Sequence, residues 1–468
     1  MRGIIRYGTY LPHWRLDREE IAKFFGQGGG RGTRSVAGHD EDTTTMAVEA
    51  LRPVVGVDQD DEISRVYFST CSPVYLDKTN ASTIHGALGL DSRVGAYDLG
   101  GATRSSTASL LAGFESTGNC LVCMSEIRGG LPTSPDETQG GDGACGFLIG
   151  NESTKRDVLA ELIGSYSTTE EFLDRWREPT SELSKTWEER FGEYRYLDLG
   201  VSGFNGACEK FGIVPGDIGQ LVISGTHTRA SIALGKKLGI PLGSIQSELS
   251  EKVGNMAGAH SGLLLAGAIE GAGPGEIIAL IVLADGVDVM FFRTTEAVKS
   301  WHQPETLGDQ ISKYDLVPYS KFLSWRGMVT VEPPRRPEPA RTSSSAAWRS
   351  RRWKFGLEAS RDPVTETVYM PPSRVSMERD SVDQMDVAAK SASKGTVVTY
   401  TVDRLAYSPS PPIVFAIIDF DDGGRFPVEM TDCSPDQVDI GKRVEMTFRK
   451  LAVSEGIRNY FWKARLID

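Results

Sequence analysis

The feature that most constrains this chain is the run Tyr97-Asp98-Leu99-Gly100-Gly101-Ala102-Thr103-Arg104-Ser105-Ser106-Thr107-Ala108. Small residues stand between an apolar, strand-like stretch and a helix-forming run from Ser109 to Phe114, so the backbone can turn sharply there. A side chain carried on such a turn is presented at the positive end of the following helix. Nucleophile elbows are built this way, and the residue at this one is Thr103. A threonine hydroxyl lacks the thiolate chemistry that makes cysteine an acyl acceptor near neutral pH. Gly100, Gly101 and Ala102 shape the turn and are candidate substrate-binding residues.

Strand-like runs alternate with helix patterns from residue 1 to about residue 300, the signature of a layered α/β protein. Strands are predicted over 66–69, 121–125, 146–149, 220–224 and 277–282, and helices over 44–52, 107–114, 230–238 and 261–270. The Trp-, Arg- and Glu-rich stretch 170–195 reads as an insertion crossing the surface between two similar halves. Composition then changes: Pro333-Pro334-Arg335-Arg336-Pro337-Glu338-Pro339 and Ser343-Ser344-Ser345 form a basic linker. Short alternating runs over 397–402, 413–419 and 444–448, separated by Gly423-Gly424 and Ser434-Pro435, suggest a small β-barrel. The expected organisation is a first α/β half over 1–165, an insertion and second half over 166–300, and a linker over 301–350. A short segment over 351–394 and the barrel over 395–468 complete the chain.

Charge and apolar patterning narrow the partners. Lys and Arg number 51 against 63 Asp and Glu, a net charge of −12 with no basic run near the start, which disfavours nucleic acid. No apolar run reaches the length of a membrane span, and Met1 to Gly8 enters strand-like sequence without a signal-peptide core. A soluble, cytoplasmic protein with no membrane partner is expected. Cys120 and Cys123 form a C-x-x-C, but they lie within the buried-strand pattern Cys120-Leu121-Val122-Cys123-Met124 with no second pair nearby. They read as structural thiols, as do Cys145 and Cys208.

Six segments fall in one order and spacing: Gly8-Thr9-Tyr10-Leu11-Pro12 with Arg15 and Glu20-Ile21; Asp40-Glu41-Asp42-Thr43-Thr44-Thr45; Gly141-Asp142-Gly143-Ala144; Asp174-Arg175-Trp176-Arg177; Lys237-Leu238-Gly239-Ile240-Pro241; and Gly254-Asn255. As a set they resemble hydroxymethylglutaryl-CoA synthases, especially archaeal and bacterial ones, over about 300 residues. The resemblance implies the thiolase fold, two pseudo-equivalent five-stranded α/β halves usually assembled as a dimer. It also implies carbon–carbon bond making or breaking at an acyl-CoA thioester. Coenzyme A would enter as part of the substrate, with no separate cofactor or metal. A homodimer, or a hetero-oligomer with a thiolase-like subunit, is the implied assembly.

Against that pattern Thr103 occupies the place of the nucleophilic cysteine, the expected histidine falls near Ser224, and the acid/base glutamate falls near Thr70. Losing all three argues against ordinary synthase chemistry, because acyl acceptor and condensation base are both missing. The resemblance assigns Asn255, after Gly254, to holding the thioester carbonyl; a turn-stabilising asparagine is the equal alternative. His227 and His260, two of only six histidines, lie close to these segments and suit base or carbonyl-polarising roles, or else helix capping and packing. Asp285 and Asp288 lie in an expected glycine-rich loop, where one could act as a base. Glu126 ends a strand and fits a salt-bridged interface equally well. Superfamily members without the cysteine are either retro-aldolases acting by acid/base chemistry on β-hydroxyacyl-CoA or inactive companions of a cysteine-bearing subunit. A synthase-like acyltransferase is the third reading.

The C-terminal runs Gly395-Thr396-Val397-Val398-Thr399-Tyr400, Ile417-Ile418-Asp419-Phe420 and Ile440-Gly441-Lys442-Arg443-Val444 resemble a second family, in which a rubredoxin-like zinc ribbon precedes an OB-fold beside thiolase-like subunits. Zinc needs four thiolate or imidazole ligands. Arg352 and Phe355 stand at the expected first knuckle, and no Cys or His occurs from Arg352 through Pro412, so no zinc is expected. Trp353, Phe355 and Tyr369 could replace the metal by apolar packing; a flexible basic linker is the other reading.

Overall fold

The computed structural model describes residues 1–56, 63–153 and 156–467, in two compact units. Unit 1 comprises Met1–Ala37, Glu49–Ser82 and Ser92–Phe322; unit 2 comprises Gly38–Val48, Thr83–Asp91 and Leu323–Asp468.

Unit 1 is built on nine strands. The first half holds β1 (Arg2–Tyr10), β2 (Ile63–Thr70), β3 (Gly95–Gly100), β4 (Asn119–Ile127) and β5 (Asp142–Asn151). The second half holds β6 (Ala160–Thr169), β7 (Ile218–Gly225), β8 (Ile277–Leu283) and β9 (Gly286–Thr294). Their order across the sheet is β7-β8-β9-β6-β1-β5-β4-β2-β3. Each half repeats one pattern. The first strand pairs antiparallel with the last, the last antiparallel with the one before it, and that one parallel with the second. In the first half β3 then adds in parallel to β2. In the second half the fifth strand is reduced to a single parallel bridge, Leu221 to Leu242. The pseudo-repeat is therefore present, but the expectation of two five-stranded halves is corrected to five strands and four.

Two helices lie at the centre: α1 (Ser105–Glu115), which follows β3, and, later in the chain, the helix Gly258–Glu270. Between them come α2 (Glu189–Phe211), α3 (Thr228–Leu238) and α4 (Ser244–Lys252), which makes Gly258–Glu270 α5. The run Leu263-Leu264-Leu265-Ala266 gives α5 no polar face, and nearly every residue of it is buried. A helix apolar all round belongs in a core. It packs against strands of both halves and against α1, to which the Ser261 hydroxyl donates a hydrogen bond at Ser106 Oγ (3.2 Å). Cys120, Cys123 and Cys145 are buried free thiols on β4 and β5, and Cys208 is buried on α2.

Residues 301–322 are not linker. Leu307 and Ile311 join the core of unit 1, and the Tyr319 hydroxyl donates to Glu137 Oε1 (2.9 Å). Short helices over Ser344–Arg349 and Arg351–Gly356 carry the chain into β10 (Glu358–Arg361), β11 (Val368–Tyr369) and β12 (Asp386–Ala389), a small antiparallel sheet. Segment 351–394 is thus folded rather than a flexible linker. Trp353 packs edge-on against Phe426 (4.9 Å between centroids) and tilted against Phe461 (5.5 Å).

The barrel follows as β13 (Lys394–Asp403), β14 (Ile413–Phe420), β15 (Arg425–Glu429), β16 (Arg443–Ser454) and β17 (Ile457–Leu466), in the order β15-β14-β13-β16-β17. A bridge between Met430 and Ala464 closes it. Along β14 the residues Val414, Ala416, Ile418 and Phe420 point inward in alternation, the period-two pattern of a strand with one buried face.

Candidate active site

The strands β2, β3 and β4 run parallel, so the turns after Thr70, Gly100 and Ile127 gather at one end of the sheet. The repeat brings the ends of β7 and β8 to the same place. Ligands in such sheets bind beyond the carboxyl ends of parallel strands, and a cavity of about 130 Å³ lies there. Its walls include Cys71, Gly101, Ala102, Thr103, Glu126, Arg128, Arg175, Arg177, Ala257 and Asp285. That volume is below the range of sites that enclose a drug-sized ligand and fits the reacting end of a longer one.

Thr103 sits on the predicted elbow, between β3 and α1. The turn requires Gly101, whose φ is +102° and whose N–H donates to the Thr70 carbonyl (3.3 Å). Opposite Thr103 stands a residue that sequence reasoning passed over. Cys71 Sγ lies 4.0 Å from Thr103 Oγ1, and the Cys71 peptide N–H donates to Glu126 Oε2 (2.9 Å). Burial, then the Glu126 charge, pushes the Cys71 thiol well up. Glu126 is only 1% exposed, and its Oε1 has no hydrogen-bond partner among the described residues. Burial raises its carboxyl, opposed by the Ser72 hydroxyl and the Cys71 peptide N–H. The site is therefore not thiol-free: the elbow carries Thr103, and Cys71 faces it from the end of β2. Nor is Glu126 an interface ion-pair residue.

Three arginines set the charge of the wall. Arg128 donates to Asp136 Oδ1 (2.6 Å) and to Asn255 Oδ1 (3.0 Å). Arg175 holds the same Asp136 with two bonds, 2.9 and 2.8 Å. Burial works to raise the Asp136 carboxyl, but the Arg128 and Arg175 charges prevail and hold it below the usual range. Arg177, bonded to the Cys71 carbonyl, is a third cation, set against the carboxyl groups of Asp136, Glu126 and Asp285. Residues 175–177 and Ser184 of stretch 170–195 thus line the site, while most of the stretch is exposed.

The structure separates several residues expected to converge. Asn255 and His260 line a different cleft, together with Ser231, Gln246 and Ser250. The Asn255 amide is used within the protein: Oδ1 accepts from Arg128 and from the Ala257 N–H (2.9 Å), and Nδ2 donates to the Gly225 carbonyl (2.8 Å). It ties the turn before α5 to Arg128 and to the Gly225 backbone. His260 is 4% exposed, and burial, reinforced by the Arg128 charge, pushes its pKa down to about 3. It stays neutral near pH 7 and lines the second cleft rather than the Thr103 cavity. His227 caps α3: Nδ1 accepts from the Ala230 N–H (3.2 Å) and Nε2 meets the Glu189 carbonyl (2.8 Å), so both ring nitrogens are occupied.

Asp285 does line the cavity, from an exposed turn at φ +46°, whereas Asp288 is buried and pairs with Arg104 through two 3.0 Å bonds. Gly100 and Gly254 stand outside the wall. Gly254 has φ +96°, and a Cβ there would lie 2.2 Å from the Gly140 carbonyl oxygen, so it is a packing glycine. Cys71 had one signal in the sequence: it directly follows Thr70, the place the resemblance gives to the acid/base glutamate. Its contact with Glu126, 55 residues away, had none.

Comparison with known proteins agrees with this architecture. The chain is 28% identical to the hydroxymethylglutaryl-CoA synthase of Pyrobaculum arsenaticum over 354 residues, covering 70% of this chain and 99% of the relative. It is 29% identical to that of Archaeoglobus fulgidus over 352 residues, with the same coverage. A crystal structure of HMG-CoA synthase complexed with CoA matches with a TM-score of 0.61 at 18% identity, over 73% of this chain and 95% of the other. MvaS in complex with 3-hydroxy-3-methylglutaryl coenzyme A matches with a TM-score of 0.57 at 17% identity, over 83% and 99%. Residues 388–449 match the model of the ChsH2 C-terminal OB-fold domain. The fold is thiolase-like, homologous to these synthases over most of its length, and carries a C-terminal OB-fold. Among the described residues no helix is long and apolar enough to cross a membrane, and no group of three or more His, Cys, Asp or Glu is placed to hold a metal.

Proposed function

We propose that this chain binds an acyl-CoA thioester and makes or breaks the carbon–carbon bond next to the thioester carbonyl, with Glu126 as the proton carrier. Homology to acyl-CoA condensing enzymes supports the substrate class. The observation that carries the chemistry is Glu126 itself, a buried carboxylate in the wall of the Thr103 cavity with one oxygen unpartnered among the described residues. Such a group is costly to keep unless it works. Aldol-type cleavage or its reverse needs a base on the β-hydroxyl or α-carbon and positive charge beside the enolate. Glu126 meets the first need and the arginine-rich wall the second. Thr103 contributes a hydroxyl donor and carries no acyl group.

The test is turnover of acetoacetyl-CoA and of β-hydroxyacyl-CoA substrates by the purified chain. Glu126→Gln is expected to lower kcat by roughly 10²–10⁴-fold with little change in thioester binding. Full activity in that variant, or no thioester binding by the wild type, refutes the reading. A second reading, work alongside a thiolase-like subunit or a second copy, is supported by the OB-fold match and by the edge strand β3, where Tyr97 is 51% exposed. Gel filtration alone and with a candidate subunit tests it.

A further inference from the structure

We propose that Cys71 is an acyl acceptor: the chain transfers an acyl group from coenzyme A to the Cys71 thiol, with Glu126 taking the thiol proton. This rests on the acyl-CoA reading above and goes beyond it by adding a covalent intermediate. Three observations meet at one point. Cys71 lines the cavity, with Sγ 4.0 Å from Thr103 Oγ1 and its own peptide N–H fixed on Glu126 Oε2 (2.9 Å). The other oxygen of that fully buried carboxylate has no hydrogen-bond partner among the described residues. Both groups also face the start of α5. A Cβ on Gly258 would lie 3.2 Å from Glu126 Oε2 and 3.6 Å from Cys71 Sγ, so the glycine brings the helix terminus close to both. A helix N-terminus favours negative charge, here thiolate or oxyanion, and the Arg177 contact to the Cys71 carbonyl adds a cation.

The step balances without another reactant. The sulfur attacks the thioester carbonyl as its proton passes to Glu126. The tetrahedral intermediate then expels the coenzyme A thiolate, which takes that proton. One carbon–sulfur bond forms on Cys71, one breaks to coenzyme A, and free coenzyme A leaves. At rest the thiol is protonated, because burial and the adjacent carboxylate oppose a free thiolate. Reactivity therefore belongs to the pair rather than to the cysteine, as in other nucleophile–base couples.

The experiment incubates the full chain with acetyl-CoA or acetoacetyl-CoA, followed by intact mass and peptide mapping before and after neutral hydroxylamine, which cleaves thioesters and spares an ester on threonine. The expected result is one acyl group per chain on the peptide bearing Cys71, released by hydroxylamine. It is absent in Cys71→Ser, at least tenfold slower in Glu126→Gln, and retained in Cys433→Ser. If Cys71→Ser does not fold, protection of wild-type Cys71 from iodoacetamide by acetyl-CoA is read instead. An adduct that survives Cys71→Ser, one mapped to Thr103, or a missing adduct and missing protection overturns the proposal. Carbon–carbon turnover without an adduct removes only the acyl-cysteine; loss of thioester binding and turnover together removes the functional reading as well.

Discussion

Replacing Lys463 by methionine should unfold unit 2 far more readily than the loss of one side chain suggests. Lys463 is 1% exposed, its ammonium lies 2.9 Å from Asp40 Oδ2, and it also bonds Glu429. Asp40 is fully buried, with the Thr431 hydroxyl as a further donor (2.8 Å). Beside it Arg449 pairs with Glu41 and Asp432, and the Tyr460 hydroxyl donates to Asp42 Oδ2 (2.7 Å). Burial disfavours the charge on Lys463, but Asp40 and Glu429 outweigh it and raise the ammonium pKa. Burial likewise works to raise Asp40, yet Lys463 holds that carboxyl far below its usual range. A depressed carboxylate contributes stability above its unfolded value of about 4, lost as pH falls through the folded one; a raised ammonium contributes below about 10.4, lost as pH rises through its own. The pair therefore supports the unit across the whole neutral range. Lys463→Met strands two buried carboxylates, which costs about 3–5 kcal/mol. At roughly 2–4 °C per kcal/mol for a unit of this size, the midpoint drops by on the order of 10 °C. Tryptophan fluorescence during a thermal melt at pH 7 reads it, since Trp462 lies in the barrel core. The triple variant Lys463→Met/Asp40→Asn/Glu429→Gln should recover most of the loss, because no charge is left buried and unpaired. A single variant melting within about 2 °C of wild type would refute the argument.

Glu126→Gln should raise the neutral-pH melting midpoint while it lowers turnover. The folded state holds the Glu126 proton more tightly than the unfolded chain, so stability from this group is greatest below about pH 4.3 and falls as pH rises through the elevated folded pKa. A melt unchanged or lowered by the substitution, compared at pH 5 and pH 8, would contradict that. Gly254→Ala should cost about 1–3 kcal/mol and shift the melt accordingly, because the added Cβ meets the Gly140 carbonyl and φ is positive; a silent substitution counts against the close approach. Metal analysis of protein purified without chelator should find well under one zinc per chain, and a value near one would require ligands other than those of a ribbon.

Most of the architecture was legible because it is written in short-range pattern. The period-two runs at 413–419 and 444–448 and the apolar helix at 261–270 announce their elements, and Thr103 announces its turn. The site was legible only where chemistry sits on a recognisable turn. Thr103, Gly101, Ala102 and Asp285 line the cavity. His227, His260 and Asn255 were near the right segments, but proximity in sequence fixes neither burial nor direction. Asn255 turned to Arg128 and to the backbone of Gly225 and Ala257, His260 into a second cleft, and His227 onto a helix end. Cys71 and Glu126 escaped because their meaning comes from a contact between two strand ends, which neither local pattern encodes. The ion cluster of unit 2 escaped for the same reason. Asp40, Glu41 and Asp42 read as an ordinary acidic stretch until β16 and β17 place Arg449 and Lys463 against them.

The repeat explains how residues from several strand ends come to share one site around Thr103. Two related halves bring their parallel strand ends together, so the cavity is walled by turns from several strands rather than by one. The first half supplies Thr103 at the start of α1; the second supplies the turn before α5, where Ala257 is held at φ +44° and ψ −112°. A non-glycine residue in that region is strained by about 1–3 kcal/mol and persists only where its surroundings fix it. Here the Asn255 carboxamide accepts its N–H, and Arg128 grips the same oxygen. Arg128 in turn is locked by Asp136, which Arg175 completes. The strain and the ion network thus serve one purpose: they hold the start of α5 against Cys71 and Glu126. The Cys71 thiol and the Glu126 carboxyl, on neighbouring strand ends, are the pair this arrangement positions beside Thr103.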